Sequence, residues 1–292
     1  MRLLNQKQVH QNMRRRLRKN AVYTVLFIAC TLFSLLMLAL LLYRIIGAGL
    51  PYLDGQFLTS FASRNPERAG IAAALWGTVA LAGIVTPLSL LLGVGTALYL
   101  EEYAKKTTFT RFIELNLQTL SGVPSVVFGL LGLTVFVYAA GLGQSILAGG
   151  LTMTLLVLPT IVVASQEALR AVPPALREAS YGMGATKWQT MYHVVLPAAF
   201  SGILTGCILA LSRALGEAAP LLVVGALAFM NYIPASLLDE FTVLPIQIFN
   251  WMGRAQEEFQ QVAAAGIVAL MGLLLLMNSL AAWLRSRGQQ KR

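Results

Sequence analysis

Arg213 and Glu217 are charged residues four apart in a long apolar run that begins at Ala198 and continues past Leu222. On a helix that spacing puts both on one face, within reach of each other. A charge at the centre of a bilayer costs at least about 2.5–3.5 kcal/mol on insertion scales, so such side chains face protein or a water-filled cavity. One reading is anion handling: a guanidinium presents a rigid fork that matches an oxyanion, and Glu217 neutralises it when the path is empty. The other is a structural pair that locks this helix against a neighbour. Arg213 lies about 22 Å along the helix from Ala198, past the midplane of a span and towards the outside. Ser121-Gly122-Val123-Pro124-Ser125 is a second candidate. It can break a helix and turn backbone N–H groups, with Ser121 and Ser125, towards an anion, or it can make only a kink.

A third candidate is the polar segment 166–197, which carries Arg177, Glu178, Lys187, Trp188 and His193 between two apolar runs. It cannot sit in lipid and is too short for a domain. Pro173-Pro174 suits a break followed by a helix start. A short helix from Ala175 to about Tyr181 follows, and Gly182 and Gly184 permit a sharp turn at positive φ. Thr186 can cap a second short helix reaching about His193, and Pro197 opens the next apolar run. Short helices alone in water are marginal, and Trp188, Met191 and Tyr192 offer apolar surface to bury. That surface suits either a partner protein or the headgroup layer.

Other chemistries find no residues here. There is no G-x-x-x-x-G-K-[ST] for nucleotide phosphates, no pair of catalytic carboxylates and no Ser/His/Asp grouping. The chain is expected to be non-catalytic and to bind no cofactor. His10 and His193 lack metal-spaced partners. Cys30 and Cys207 fall in apolar spans and read as small core residues.

The elements that must position these residues are helices in a membrane. Of 292 residues, 57% are hydrophobic and 12% charged, about half the charge of a soluble domain. Runs of about 20 apolar residues mark spans: about Ala21–Ile46, Ile71–Leu100 with Pro87 as a kink point, Leu117–Ala140, Ser145–Ala164, Ala198 onward, and Val262–Leu284. The expectation is an all-α integral membrane protein of six transmembrane helices. Its parts are a basic tail at 1–20, the first helix and outer loop at 21–70, a core at 71–284 and a short tail at 285–292.

Charge placement sets the orientation. With the N-terminus inside, 17 of the Lys and Arg residues fall on the inner side and four, Arg44, Arg64, Arg68 and Arg254, on the outer. That split favours both termini in the cytoplasm. The net charge of +10 comes largely from seven cations before residue 20, which read as a topology signal or headgroup contact rather than a nucleic-acid site. The first apolar stretch is too long for a secretory signal and lacks an obvious cleavage site. In the outer loop at about 228–261, Leu244–Trp251 reads as a short interfacial or re-entrant segment.

The polar segment also carries a family pattern. Glu178-Ala179, then Gly184, Val194 and Leu196-Pro197 keep the spacing of the EAA loop, with Ser180 in place of its second Ala and Val194 in place of Ile. The chain therefore resembles the permease subunits of type I ABC importers over most of Ile71 to Leu284. Tyr99-Leu100-Glu101-Glu102-Tyr103, Ser121–Ser125 and Ser212–Pro220 look like phosphate importer permeases, and Phe241–Pro245 with Asn250-Trp251 looks more like the A-type subunit than its C-type partner. The resemblance implies a type I permease fold in a bacterial cytoplasmic (inner) membrane. It implies an ATPase-coupling loop made of Glu178, Ala179, Gly184, Trp188, Val194, Leu196 and Pro197, and a phosphate path through Arg213. Implied partners are a homologous second permease, two ATPase subunits holding the ATP and Mg, and an extracytoplasmic phosphate-binding protein. The alternatives are a permease for sulfate or molybdate, or a stand-alone ion-driven carrier or channel, which leaves the loop without a role and lacks paired repeats.

Overall fold

The computed structural model describes residues 6–227 and 229–290; the cations counted at Arg2, Lys291 and Arg292 lie outside the described residues. The chain divides into two units, one ending at Ala48 and one beginning at Gly49. The first unit is one helix, α1 (Gln6–Gly49). From Lys19 onward it is apolar on every face for long enough to cross a bilayer. Residues 6–20 of the basic tail are thus the first turns of the same helix.

Among the described residues the regular structure of the second unit is helical, with loops between the helices and an isolated bridge between Ser145 and Glu240. In chain order it comprises α2 (Gly55–Thr59), α3 (Ala72–Leu98), α4 (Thr108–Leu120), α5 (Ser125–Gly132), α6 (Ile146–Arg170), α7 (Pro174–Gly182), α8 (Lys187–Thr190), α9 (Leu196–Leu215), α10 (Ala219–Val224), α11 (Leu244–Met252) and α12 (Glu258–Gln290). Wide π turns extend α3 through Tyr99–Tyr103 and α5 through Leu133–Ala139. A third, Met191–Val195, joins α8 to α9.

The core lies where α3, α6 and α9 meet, with Leu81, Val85, Met153, Ile161, Ile203 and Cys207 buried. Small residues set the spacing between α6 and α9. A Cβ on Gly206 would meet the Ala164 methyl at 2.5 Å, and one on Gly202 the Ala168 methyl at 2.9 Å. The Gly202, Gly206, Ala210 stripe is a packing seam, as small-xxx-small spacing suggests.

Among the described residues five helices are long and apolar enough to cross a membrane, and there is a sixth span if α4 and the α5 segment count together. Those two meet at 108°, so the stretch expected from about Leu117 to Ala140 is broken at Ser121–Pro124, the segment whose residues can break a helix, and its first helix starts earlier, at Thr108. Pro124 has no N–H to donate and disfavours helical backbone at Val123, which ends α4. The Ser121 hydroxyl donates to the Gln118 carbonyl at 2.6 Å within the break.

The fifth span differs from expectation at both ends. It begins at Lys187 instead of Ala198 and stops at Leu215. Pro197 does not interrupt it. The π turn just before Pro197 widens the helix where a proline ring would otherwise strike the carbonyl four residues back. After Gly216 the chain turns into the separate short helix α10, which packs against α5.

Of the two readings for Leu244–Trp251, interfacial or re-entrant, the interfacial one is corrected: the segment is a helix packed inside the protein. Leu244, Ile246 and Trp251 are fully buried, and the Trp251 ring lies 6.0 Å from Phe57. The loop before it is stitched to the start of α6. The Ile146 and Leu147 N–H groups donate to the Asp239 and Leu237 carbonyls, satisfying donors that a helix start leaves unpaired.

Candidate functional site

Two groups of side chains carry the unusual chemistry. The first is the helical hairpin α7–α8, within the expected polar segment; residues 166–170 at its start belong to α6. Its turn is built as the sequence demands. Gly184 has φ +85°, while Gly182 closes α7 in ordinary helical backbone instead of sharing the positive φ. The Thr186 side chain accepts from the Gln189 N–H at 3.3 Å in a capping box. The Ser180 and Thr190 hydroxyls meet at 2.8 Å in the buried crease between the two helices.

Of the residues expected in the loop, Glu178, Ala179, Gly184 and Trp188 are exposed, whereas Val194, Leu196 and Pro197 are partly buried where the hairpin runs into α9. Trp188 is 66% exposed and stacks on Tyr192 with centroids 6.1 Å apart. Leu176, Tyr181 and Met183 add exposed apolar surface to the same hairpin. Met191, by contrast, is buried. An exposed aromatic pair with an aliphatic surround has the makeup of a binding hot spot.

The sequence reading missed what fixes this hairpin to the body. Arg177 forms an ion pair with Glu102 and donates from Nη2 to the Leu169 carbonyl at 2.7 Å. Next to it Glu101 pairs with Arg170 and accepts from Gln166 at 3.3 Å. The Lys187 ammonium lies 5.1 Å from the Tyr103 ring centroid. The π turn Tyr99–Tyr103 therefore presents successive residues to successive parts of the hairpin base. The sequence held only half the signal: two adjacent carboxylates closing an apolar span call for cations, but Arg170 ends α6 and Arg177 lies in α7, so the fold alone brings them to Glu101 and Glu102.

The second group surrounds a cavity of about 270 Å³. Ser121, Ser125, Arg213 and Glu217, the four residues expected along an anion path, all line it. The break between α4 and α5 supplies one wall, the end of α9 another, and Leu156, Val157 and Thr160 of α6 a third. Thr160 was not singled out from the sequence, although a hydroxyl after Pro159 in an apolar helix marks a place that can meet water. Ser121 and Thr160 also line a second cavity of about 330 Å³ with Gln118 and Glu167.

The expected helical pairing of Arg213 with Glu217 is corrected. Among the described residues the ion pairs are Arg170–Glu101 and Arg177–Glu102, and neither Arg213 nor Glu217 has a side-chain partner. Locally, α9 ends at Leu215 and Gly216 caps it, so the two residues do not sit on one continuous helix. Arg213 is exposed to the cavity and Glu217 half-buried beside it. A guanidinium with its fork open, a carboxylate, two hydroxyls and the start of a helix together can receive a small oxyanion carrying its own hydrogen-bond donors.

Comparison with known proteins gives the following. Residues 89–289 match the family model described as "Binding-protein-dependent transport system inner membrane component". The chain is 34% identical over 294 residues to "Phosphate transport system permease protein PstA 1" of Mycobacterium tuberculosis (strain CDC 1551 / Oshkosh), covering 96% of this chain and 92% of that one. It is 31% identical over 269 residues to "Probable ABC transporter permease protein YqgI" of Bacillus subtilis (strain 168), covering 88% and 91%. Among solved structures, a bacterial ABC transporter involved in the import of the acidic polysaccharide alginate aligns with TM-score 0.64 at 16% identity, over 93% of this chain and 99% of that one. At that identity the likeness is one of fold.

Proposed function

The chain belongs to the family of binding-protein-dependent transport system inner membrane components, and from that premise we propose that it is the permease subunit of an ATP-driven importer of inorganic phosphate. It is an integral, multi-pass membrane protein. The observation that carries the phosphate reading is Arg213, open and unpaired on a cavity it shares with Ser121 and Ser125. A guanidinium there offers two parallel donors to a tetrahedral oxyanion. The name of the mycobacterial relative points the same way.

In this reading both termini and the α7–α8 hairpin face the cytoplasm, as the 17-to-4 distribution of Lys and Arg favours. The bent α4–α5 pair serves as one of six spans in a type I permease. Glu178, Ala179, Gly184, Trp188, Val194, Leu196 and Pro197 form the surface that an ATPase subunit grips, with the stacked Trp188 and Tyr192 as its apolar anchor. The chain itself is non-catalytic. ATP and Mg belong to two ATPase subunits, and a homologous C-type permease completes the path opposite this A-type chain. An extracytoplasmic binding protein delivers phosphate to the outer loops. The cavity residues hold the ion briefly during passage, and ATPase closure moves the hairpins and with them the path.

Reconstitution tests this directly. Vesicles carrying the chain with its co-purifying subunits should take up labelled phosphate only with ATP, and Arg213→Ala should abolish uptake while the complex still assembles. Uptake of sulfate or molybdate in preference to phosphate would reassign the substrate. Uptake driven by an ion gradient without any ATPase would overturn the permease reading.

A further inference from the structure

An anion path gains nothing from a carboxylate unless the carboxylate has a task. Glu217 shares its cavity with Arg213, yet α9 ends at Leu215 and no ion pair joins the two side chains. Its side chain has no hydrogen-bond or ion-pair partner among the described residues; its backbone N–H donates to the Ala214 carbonyl at 3.0 Å. An ionised carboxylate only accepts hydrogen bonds. It repels an oxyanion that brings no proton and receives a hydrogen bond from one that does. Resting on the phosphate reading above, we propose that Glu217 is the specificity-determining residue of this cavity, selecting oxyanions that carry an O–H over those that carry none.

The chemistry separates two ions of the same shape. Phosphate near neutral pH keeps at least one O–H, whereas sulfate keeps none. Both offer Arg213 two oxygens in the same geometry, so the fit to the guanidinium fork does not separate them, and its charge favours the dianion sulfate at least as much. Glu217 does so by attraction towards one and repulsion towards the other, the two-sided arrangement that specificity calls for. A site built around a substrate hydroxyl discriminates strongly against an analogue that lacks it, because its acceptor is then left unpaired. The Ser125 hydroxyl can donate or accept and so suits either ion, while the Ser121 hydroxyl already donates to the Gln118 carbonyl. The sign of the preference comes from Glu217.

The test uses the assembled transporter without its binding protein, so that selection upstream does not mask selection in the cavity. Cys30 and Cys207 are replaced by Ser and Ala, and Thr160→Cys supplies a thiol on the cavity wall. The rate of its labelling by a small methanethiosulfonate reagent is measured against inorganic phosphate and against sulfate at constant ionic strength. With Glu217 present, phosphate should protect at concentrations about tenfold or more below those of sulfate, the scale of one charged hydrogen bond. With Glu217→Gln the two should protect within about threefold of each other, and Glu217→Asp should retain the preference. An unchanged preference in Glu217→Gln overturns the assignment of Glu217 and leaves the role of Arg213 standing. Absence of protection by either ion in every background, Arg213→Ala included, removes the anion cavity itself.

Discussion

The Ser180 hydroxyl and the Thr190 hydroxyl share a hydrogen bond of 2.8 Å, both residues being nearly fully buried between the two helices of the hairpin. Ser180 stands where the EAA pattern has its second alanine. The structure supplies the reason it is tolerated: the extra oxygen meets a second oxygen, so neither buried hydroxyl is without a partner. Ser180→Ala should leave the Thr190 hydroxyl buried alone and destabilise by about 1–3 kcal/mol, read as a lowered unfolding midpoint. Ser180→Ala with Thr190→Val should recover much of that loss. Equal midpoints for the single variant and the parent would show that the bond contributes nothing.

Glu102 depends on Arg177 in the same way, with more at stake. The Glu102 side chain is only 9% exposed, and removing the partner of a buried charge costs about 3–5 kcal/mol. Arg177→Ala should lower the stability of the complex and reduce ATP-dependent uptake, with ATP hydrolysis less affected. The exchange Arg177→Glu with Glu102→Arg should restore part of both. Full uptake in Arg177→Ala would mean that the hairpin is held by other contacts.

Gly184 takes a backbone conformation at φ +85° that costs an L side chain about 1–2 kcal/mol. No neighbouring atom obstructs a Cβ there, so the penalty is one of conformation alone. Gly184→Ala should therefore weaken coupling between hydrolysis and uptake modestly, and Gly184→Val should weaken it more. Gly182→Ala, at a residue with ordinary helical backbone, should be nearly silent. A reversed order, measured as phosphate moved per ATP hydrolysed, would remove the turn from the coupling argument.

Lys187 tests the orientation. A cysteine introduced by Lys187→Cys, in a chain without Cys30 and Cys207, should react only with reagents admitted to the cytoplasm. Labelling of intact cells by a membrane-impermeant reagent would invert the topology.

Much of this molecule was legible in its sequence because apolar runs, glycines and prolines act locally. The hairpin turn at Gly184, the cap at Thr186 and the break at Ser121–Pro124 each follow from residues within a few positions of one another. What escaped was set at a distance or by a helix that ended early. The spacing of Arg213 and Glu217 predicts a pair only if α9 continues, and the pattern of apolar residues past Leu222 conceals its end at Leu215. Glu101 and Glu102 find Arg170 and Arg177 only once α3, α6 and α7 are folded together. Pro197 reads as a boundary, yet the π turn before it absorbs the ring and lets the helix run through.

That uninterrupted run has a mechanical meaning. From Trp188 to Arg213 the backbone is one rod about 38 Å long, bearing an aromatic grip near one end and a bare guanidinium near the other. On the permease reading, a displacement of the grip tilts or slides this lever, with the π turn at Met191–Val195 as its point of give, and carries the positive charge along.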